Sequence, residues 1–205
     1  ASTDGTADIV RDYERRFPDR FRNVYRTENM YVHDPKILEH HVFPLARGKY
    51  IAICEGDDYW TSPDKLQRQI DYMEANPSCT LCIHAAALID ADGNRIGSLH
   101  PTDGDGTVPT ETVIRGMGGF CPTASIVAPT HLAQNRAPFC DLTDVDDLPL
   151  QIFFASRGAT YCIDEELCAY RVNAPGSWSV QQRAERVEKR VALQQKNIRM
   201  HEAFD

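Results

Sequence analysis

"KYIAICEGDDYW", residues 49–60, carries an almost unbroken apolar, β-rich run into three carboxylates, Glu55, Asp57 and Asp58, and then into Tyr59 and Trp60. Such a run is the pattern of a strand covered on both faces by helices. In an open α/β sheet, ligands are held in the crevice at the carboxyl ends of the strands, which is where these acids fall. Three carboxylates within four residues repel one another unless a cation sits between them, and oxygen ligands of this kind suit Mg²⁺ or Mn²⁺. Those ions keep one or two protein carboxylates and complete their shell from phosphates and water, so the pattern suggests a metal–diphosphate site. The same residues also fit a solvated turn leading into the next helix, and the pattern alone leaves both readings open.

The surrounding sequence alternates helix and strand. "TADIVRDYERRFPDR" (6–20) sets Ile9, Val10, Tyr13 and Phe17 at helical spacing, with Thr6 as N-cap and Pro18 as the stop. "FRNVYRT" (21–27) reads as a short strand, and "DPKILEHHVFPLARG" (34–48) as a helix capped by Asp34, with Pro35 first and Gly48 closing it. "TSPDKLQRQIDYMEANP" (61–77) is a helix with Ser62 as N-cap and an apolar face of Leu66, Ile70 and Met73. "TLCIHAAALID" (80–90) is a second buried strand, followed by an Asp92-Gly93 turn. Residues 98–120 read as loops around one short helix at "TETVIRG". "TASIVA" (123–128), "ATYCID" (159–164) and "LCAYRV" (167–172) are strand candidates, and "DDLPLQIFFASRG" (146–158) is a helix with acids at its positive end. From Ser179 the chain is charged and helical, with a thin stripe of Val187, Val191 and Ile198. This order predicts an α/β fold with a largely parallel sheet.

Twenty-two basic against thirty acidic residues give a net charge of −8, which repels a phosphate backbone and argues against a nucleic-acid partner. No apolar run is long enough to span a bilayer and the first residues given show no basic stretch followed by an apolar one, so the expectation is a soluble, cytoplasmic chain. The seven cysteines are odd in number, and Cys54, Cys82, Cys162 and Cys168 lie in apolar runs, so a disulfide framework is not expected. Cys79, Cys82 and His84 suggest zinc, but no second C-x-x-C exists, and in a strand Cys79 would point away from the other two. Neither a nucleophile elbow, a P-loop nor a dinucleotide fingerprint appears.

Taken together, "GKYIAICEGDDYWTSPDKLQRQIDYMEANP" resembles the donor-site segment of family 2 glycosyltransferases, bacterial polysaccharide-type enzymes of GT-A fold that use nucleotide-diphosphate sugars. Three further segments agree in order. "ASTDGTADIVRDYERRFPDR" is similar to the stretch after the first nucleotide-binding strand, "FCPTASIVAP" to the acceptor-side strand, and "DDLPLQIFFASRGATYCIDEELCAYRVNAPGSWS" to the catalytic-base helix and following strands. The resemblance implies a catalytic domain over residues 1–178 with a C-terminal helical extension, 179–205, and a mixed, mainly parallel sheet flanked by helices. The family's first strand and helix have no counterpart here, and the chain starts at Ala1 within a turn-like "ASTDGT". The expectation is therefore an N-terminally truncated domain, a fragment or one completed by another chain.

By position, the resemblance assigns Asp57 and Asp58 to the donor motif, with Asp58 the direct metal ligand and Glu55 in place of the usual first Asp. Ser2 and Asp4 match the turn after the base-contacting acids. Asp147 matches the catalytic base, with Asp141, Asp144 and Asp146 near enough to compete. Asn173 stands where many relatives carry a histidine, and Arg171 and Ser177 are candidate phosphate contacts. The implied reaction is inverting transfer from a nucleotide-diphosphate sugar, UDP-linked by preference, to a hydroxyl of a saccharide or glycolipid, assisted by Mg²⁺ or Mn²⁺. The other class is a non-catalytic nucleotide-binding fragment that needs another segment or chain. The C-terminal helix leaves three roles open: homodimer contact, attachment at the inner face of the membrane, or a solvated helix.

Overall fold

The computed structural model of the 205-residue chain describes residues 4–28, 33, 34, 36–174, 177, 180 and 184–204. Two compact units are distinguished, Ala1–Arg47 and Gly48–Asp205.

In the first unit, α1 (Thr6–Arg16) begins where Asp4 Oδ1 accepts the Thr6 backbone N–H at 3.0 Å and its hydroxyl at 2.6 Å. The capping side chain is thus Asp4 rather than Thr6, because a carboxylate two residues before the first turn reaches its free N–H. Residues 21–26 have no strand partner among the described residues, contrary to the expectation for "FRNVYRT". Their aromatics turn back on α1 instead: the Tyr25 hydroxyl donates to Glu14 at 2.9 Å, and Arg11 lies 5.1 Å from the Tyr25 ring centre. The helix expected from Asp34 to Gly48 is broken into a π-helical turn (Leu38–Val42) and a 3₁₀ turn (Phe43–Leu45). Pro44 explains the break, since it has no N–H for the helical ladder. The expected first-position Pro35 lies outside the described residues.

The second unit is built on one mixed sheet. Its strands are β1 (Tyr50–Ala52), β2 (Tyr59–Trp60), β3 (Cys79–Ile89), β4 (Arg95–Leu99), β5 (Gly106–Val108), β6 (Val127–Pro129) and β7 (Ala159–Arg171). The order is β1-β6-β3-β7-β2, with β4 on β3 and β5 on β7. The parallel part is the long β3–β7 pairing, and the pairings β1–β6, β2–β7, β3–β4, β3–β6 and β5–β7 are antiparallel. The mixture leans further toward antiparallel than helix–strand alternation suggests, because the short strands add to the edges of one long central pair. "ATYCID" and "LCAYRV" are one strand rather than two, and "TASIVA" opens as a 3₁₀ turn before β6.

The centre of the core is β3, whose Leu81, Cys82, Ile83, His84, Ala85 and Ala86 are fully buried. The helix α2 (Lys65–Ala75) packs on it, and Met73 joins Cys79, Cys82 and Val127 in one cluster. A register shift between Cys79 and Leu81 brings Cys79 to the same side as Cys82, correcting the simple alternation expected for that strand. All seven cysteines are free thiols. After α3 (Thr110–Arg115) and α4 (Thr130–Gln134), the helix α5 (Asp147–Arg157) packs on β3 and β7. Leu148 through Ala155 are all buried, as befits a helix apolar on nearly every side. At the α5–β7 junction, a Cβ on Gly158 would lie 2.8 Å from Thr80 Cγ2 and closer still to the Ser78 carbonyl. Only glycine leaves room for that approach.

The final helix, α6 (Val187–Glu202), belongs to the same unit. The stripe expected to seat it, Val187, Val191 and Ile198, is exposed. Its seam is Asn197 and Met200, with Thr143 donating to Asn197 at 2.6 Å and Phe204 set edge-on to Phe139 at 5.3 Å. Among the described residues no helix is long and apolar enough to cross a membrane.

Candidate functional site

The acidic turn is held at both ends by the sheet. On entry, Ile53 N–H donates to Ile126 O at 3.2 Å, prolonging the β1–β6 ladder. On exit, Tyr59 and Trp60 pair with Ala169 and Cys168 of β7, and Thr61 N–H donates to Leu167 O at 3.0 Å. Between them the chain turns with Asp58 N–H on Glu55 O at 3.2 Å. Trp60 anchors the exit further by donating its indole N–H to Ala124 O at 3.0 Å.

Asp58 is half-buried, and one carboxylate oxygen, Oδ1, accepts the backbone N–H of Arg171 at 2.8 Å. The other, Oδ2, is buried with no hydrogen-bond partner among the described residues. Burial, followed by repulsion from Asp57, pushes the Asp58 carboxyl up to about 6 despite the pull of Arg171. Glu55 is reached by solvent, yet desolvation raises its carboxyl against a hydrogen bond from Thr123. Asp57 is exposed.

Arg171 is committed to this turn as a brace. Its Nε donates to Asp57 O at 3.1 Å, and its Nη1 to Asp90 O at 2.8 Å and Ala91 O at 2.9 Å. The guanidinium thereby ties the acidic turn to the end of β3. Asn173 follows in the left-handed region (φ 59°), which asparagine tolerates, and is exposed; Ser177 N–H donates to Ala174 O at 3.0 Å.

Asp147 is the first residue of α5, and its Oδ1 accepts the Leu148 N–H at 2.8 Å. Its Oδ2 lies 2.9 Å from where a Cβ on Gly118 would stand, so the carboxylate rests against bare backbone. One turn along, the buried Gln151 donates to Gly118 O at 3.3 Å and Cys121 O at 3.5 Å, strapping that loop to α5. Met117, exposed at the loop tip, is held at φ 53°. The neighbouring acids are turned to other partners. Asp146 and Asp141 lie 3.8 and 3.5 Å from the buried Arg136 guanidinium, and Asp144 meets Lys196 at 2.6 Å.

One residue that motif reading passed over connects the two carboxylate groups. Tyr170, beside Trp60 on the cluster of Ala86, Ala124 and Cys168, has its phenol pKa raised first by desolvation and then by Asp58, Glu55, Asp147 and Asp57. All four acids raise the phenol in the same direction. Its only sequence signal was its place next to Arg171 in "LCAYRV". Ser2 lies outside the described residues, and Asp4 is in the first unit, its carboxylate engaged in capping α1 and its pKa lowered by Thr6.

No group of three or more His, Cys, Asp or Glu among the described residues is arranged to hold a metal ion by itself. The turn nevertheless fits a cation of the diphosphate-bound kind, which needs only one or two protein carboxylates. The buried, unpartnered Asp58 Oδ2 is the atom that such an ion would satisfy.

Comparison with known proteins bears on the family and the fold. The sequence profile of the family described as "Glycosyl transferase family 2" matches residues 1–103, just over half of the chain. The uncharacterized protein Rv1520 of Mycobacterium tuberculosis is 32% identical over 182 residues, covering 87% of this chain and 49% of its own. TuaG of Bacillus subtilis, whose name describes a teichuronic acid biosynthesis glycosyltransferase, is 34% identical over 92 residues, 45% of this chain and 34% of its own. The chain spans about half the length of the first of these relatives or less of the second. Among solved structures, Staphylococcus aureus TarS 1–349 superposes with a TM-score of 0.54 at 12% identity, over 89% of this chain and 57% of that one. That likeness shows the fold, a GT-A arrangement of a central sheet flanked by helices. The chain belongs to glycosyl transferase family 2.

Proposed function

We propose that this chain forms the donor-binding and catalytic part of an inverting glycosyltransferase, which moves a sugar from a nucleotide-diphosphate donor to a hydroxyl acceptor. The observation that carries the reading is Asp58, held at the carboxyl end of β1 by the Arg171 amide through Oδ1, with its Oδ2 buried and without a hydrogen-bond partner among the described residues. In this reading Asp58 would hold Mg²⁺ or Mn²⁺, while Asp57 and Glu55 face the ribose or sugar hydroxyls. When bound, the cation offsets the charge of the departing diphosphate. Arg171 keeps Asp58 in place through its amide and the turn through its guanidinium, rather than serving as a free phosphate contact. Asp147 takes the proton of the acceptor hydroxyl as that oxygen attacks the anomeric carbon opposite the diphosphate, and direct displacement inverts the anomeric configuration. The pairing of Asp146 with Arg136 supports Asp147 for this role. A UDP-linked donor and a saccharide or glycolipid acceptor fit the family, and the name of TuaG supports polysaccharide synthesis.

The test is Asp147→Asn in the full-length protein. Removing a general base costs about 10²–10⁴-fold in turnover, so the variant should lose turnover to that degree while binding donor as the parent does. Full activity in the variant would end the assignment.

A further inference from the structure

Three fully buried side chains each present a polar atom with no hydrogen-bond partner among the described residues: Lys65 Nζ, Gln69 Oε1 and His84 Nε2. Lys65 and Gln69 are four residues apart and lie on one face of α2. His84 and Cys82 are two apart and share a face of β3. The Gln69 amide donates to Cys82 O at 2.9 Å and Ser125 O at 2.8 Å, which fixes Gln69 opposite Cys82. Four helical residues advance about 6 Å and two strand residues about 6.6 Å, so the same spacing sets Lys65 opposite His84. The chain reverses between α2 and β3 through residues 76–78, giving the antiparallel sense this requires. The Lys65 charge is indeed among those felt by His84.

The chemistry of the three atoms is complementary to one ligand. His84 Nδ1 donates to Ala85 O at 2.7 Å, so in the neutral ring Nε2 is an acceptor. Gln69 Oε1 is a second acceptor, and Lys65 Nζ supplies only donors. An anion would suit the lysine but not the other two, and a cation the reverse. We propose that Lys65, Gln69 and His84 bind one internal water molecule, which accepts from Nζ and donates to Oε1 and Nε2, and so bridges α2 to β3. Buried waters typically make about three such bonds. Lys65 Nζ also lies 4.2 Å from the centre of the Trp60 ring, so the site fixes the strand by which the chain leaves the acidic turn. None of this depends on which donor or acceptor the protein uses.

A crystal structure of the full-length protein showing ordered solvent should contain one water about 2.7–3.2 Å from all three atoms. Direct contacts among the three side chains, or an interior without that water, would overturn the proposal. Independently, Lys65→Met, His84→Leu and the double variant are compared by denaturant unfolding. Residues that share one ligand couple, so the double variant should lose at least about twofold less in folding equilibrium constant than the product of the two single losses. Losses that simply multiply would contradict a shared water. The crystallographic arm needs no variant, so it decides the matter even where a substitution fails to fold.

Discussion

The backbone amide of Arg171 holds Asp58 Oδ1 at 2.8 Å, while the guanidinium of the same residue reaches the carbonyls of Asp57, Asp90 and Ala91. Substituting the side chain therefore leaves the amide contact but releases the turn from the end of β3. Arg171→Ala should lower stability by about 1–3 kcal/mol, the range for stripping charged hydrogen bonds from partly buried acceptors. It should also weaken metal-dependent UDP binding. Arg171→Lys should recover little of either, because a single ammonium cannot reproduce the fork. Thermal unfolding and calorimetric titration check both, and unchanged values in Arg171→Ala would show that the brace is idle.

Gly118 offers a sharper probe of Asp147. A methyl group there would stand 2.9 Å from Oδ2, so Gly118→Ala must displace either the carboxylate or the loop. A displacement of about 1 Å in a reacting group can cost 10²-fold. Turnover should fall by about tenfold to 100-fold with donor affinity unchanged. A rise in KM for the donor at constant kcat would mean that the loop serves donor binding instead.

Much of the second unit was legible from periodicity. The runs "TLCIHAAALID" and "DDLPLQIFFASRG" are β3 and α5, the two elements on which the core depends, and both are apolar enough to be recognised without partners. The acidic turn after the first strand was legible as a turn, while its three carboxylates alone left its role open. Strand partners were not, because periodicity marks a strand without saying which neighbour it pairs with. That is why the antiparallel edges went unseen and "FRNVYRT" looked like a strand. Tyr170 and the Arg171 brace were hidden for a related reason. Their roles arise where β7 passes beside a turn 113 residues earlier in the chain, and no local pattern records that approach. Lys65 read as a charged helix residue, and only its complete burial reveals otherwise.

The buried His84 gives a pH dependence with a definite sign. Desolvation, reinforced by Lys65 and Arg68, lowers its pKa from 6.5 to about 4. The unfolded chain therefore binds an extra proton between those values, so stability is present above pH 6.5 and is lost as pH falls toward 4. A shift of this size corresponds to about 3 kcal/mol. His84→Gln should remove that part of the slope, and the difference between parent and variant isolates it from the carboxylates that titrate in the same range. Parallel stability–pH curves for the two proteins would show that His84 is not held neutral.

The central claim, that the acidic turn holds a cation against a sugar-nucleotide diphosphate, is tested most directly by calorimetric titration of UDP into the full-length protein with Mn²⁺ and with EDTA, beside Asp58→Ala. The account predicts binding with Mn²⁺ that is lost in EDTA and in the variant, because one removes the cation and the other the carboxylate that would hold it. Binding of equal strength in EDTA, or in Asp58→Ala with Mn²⁺ present, would contradict it.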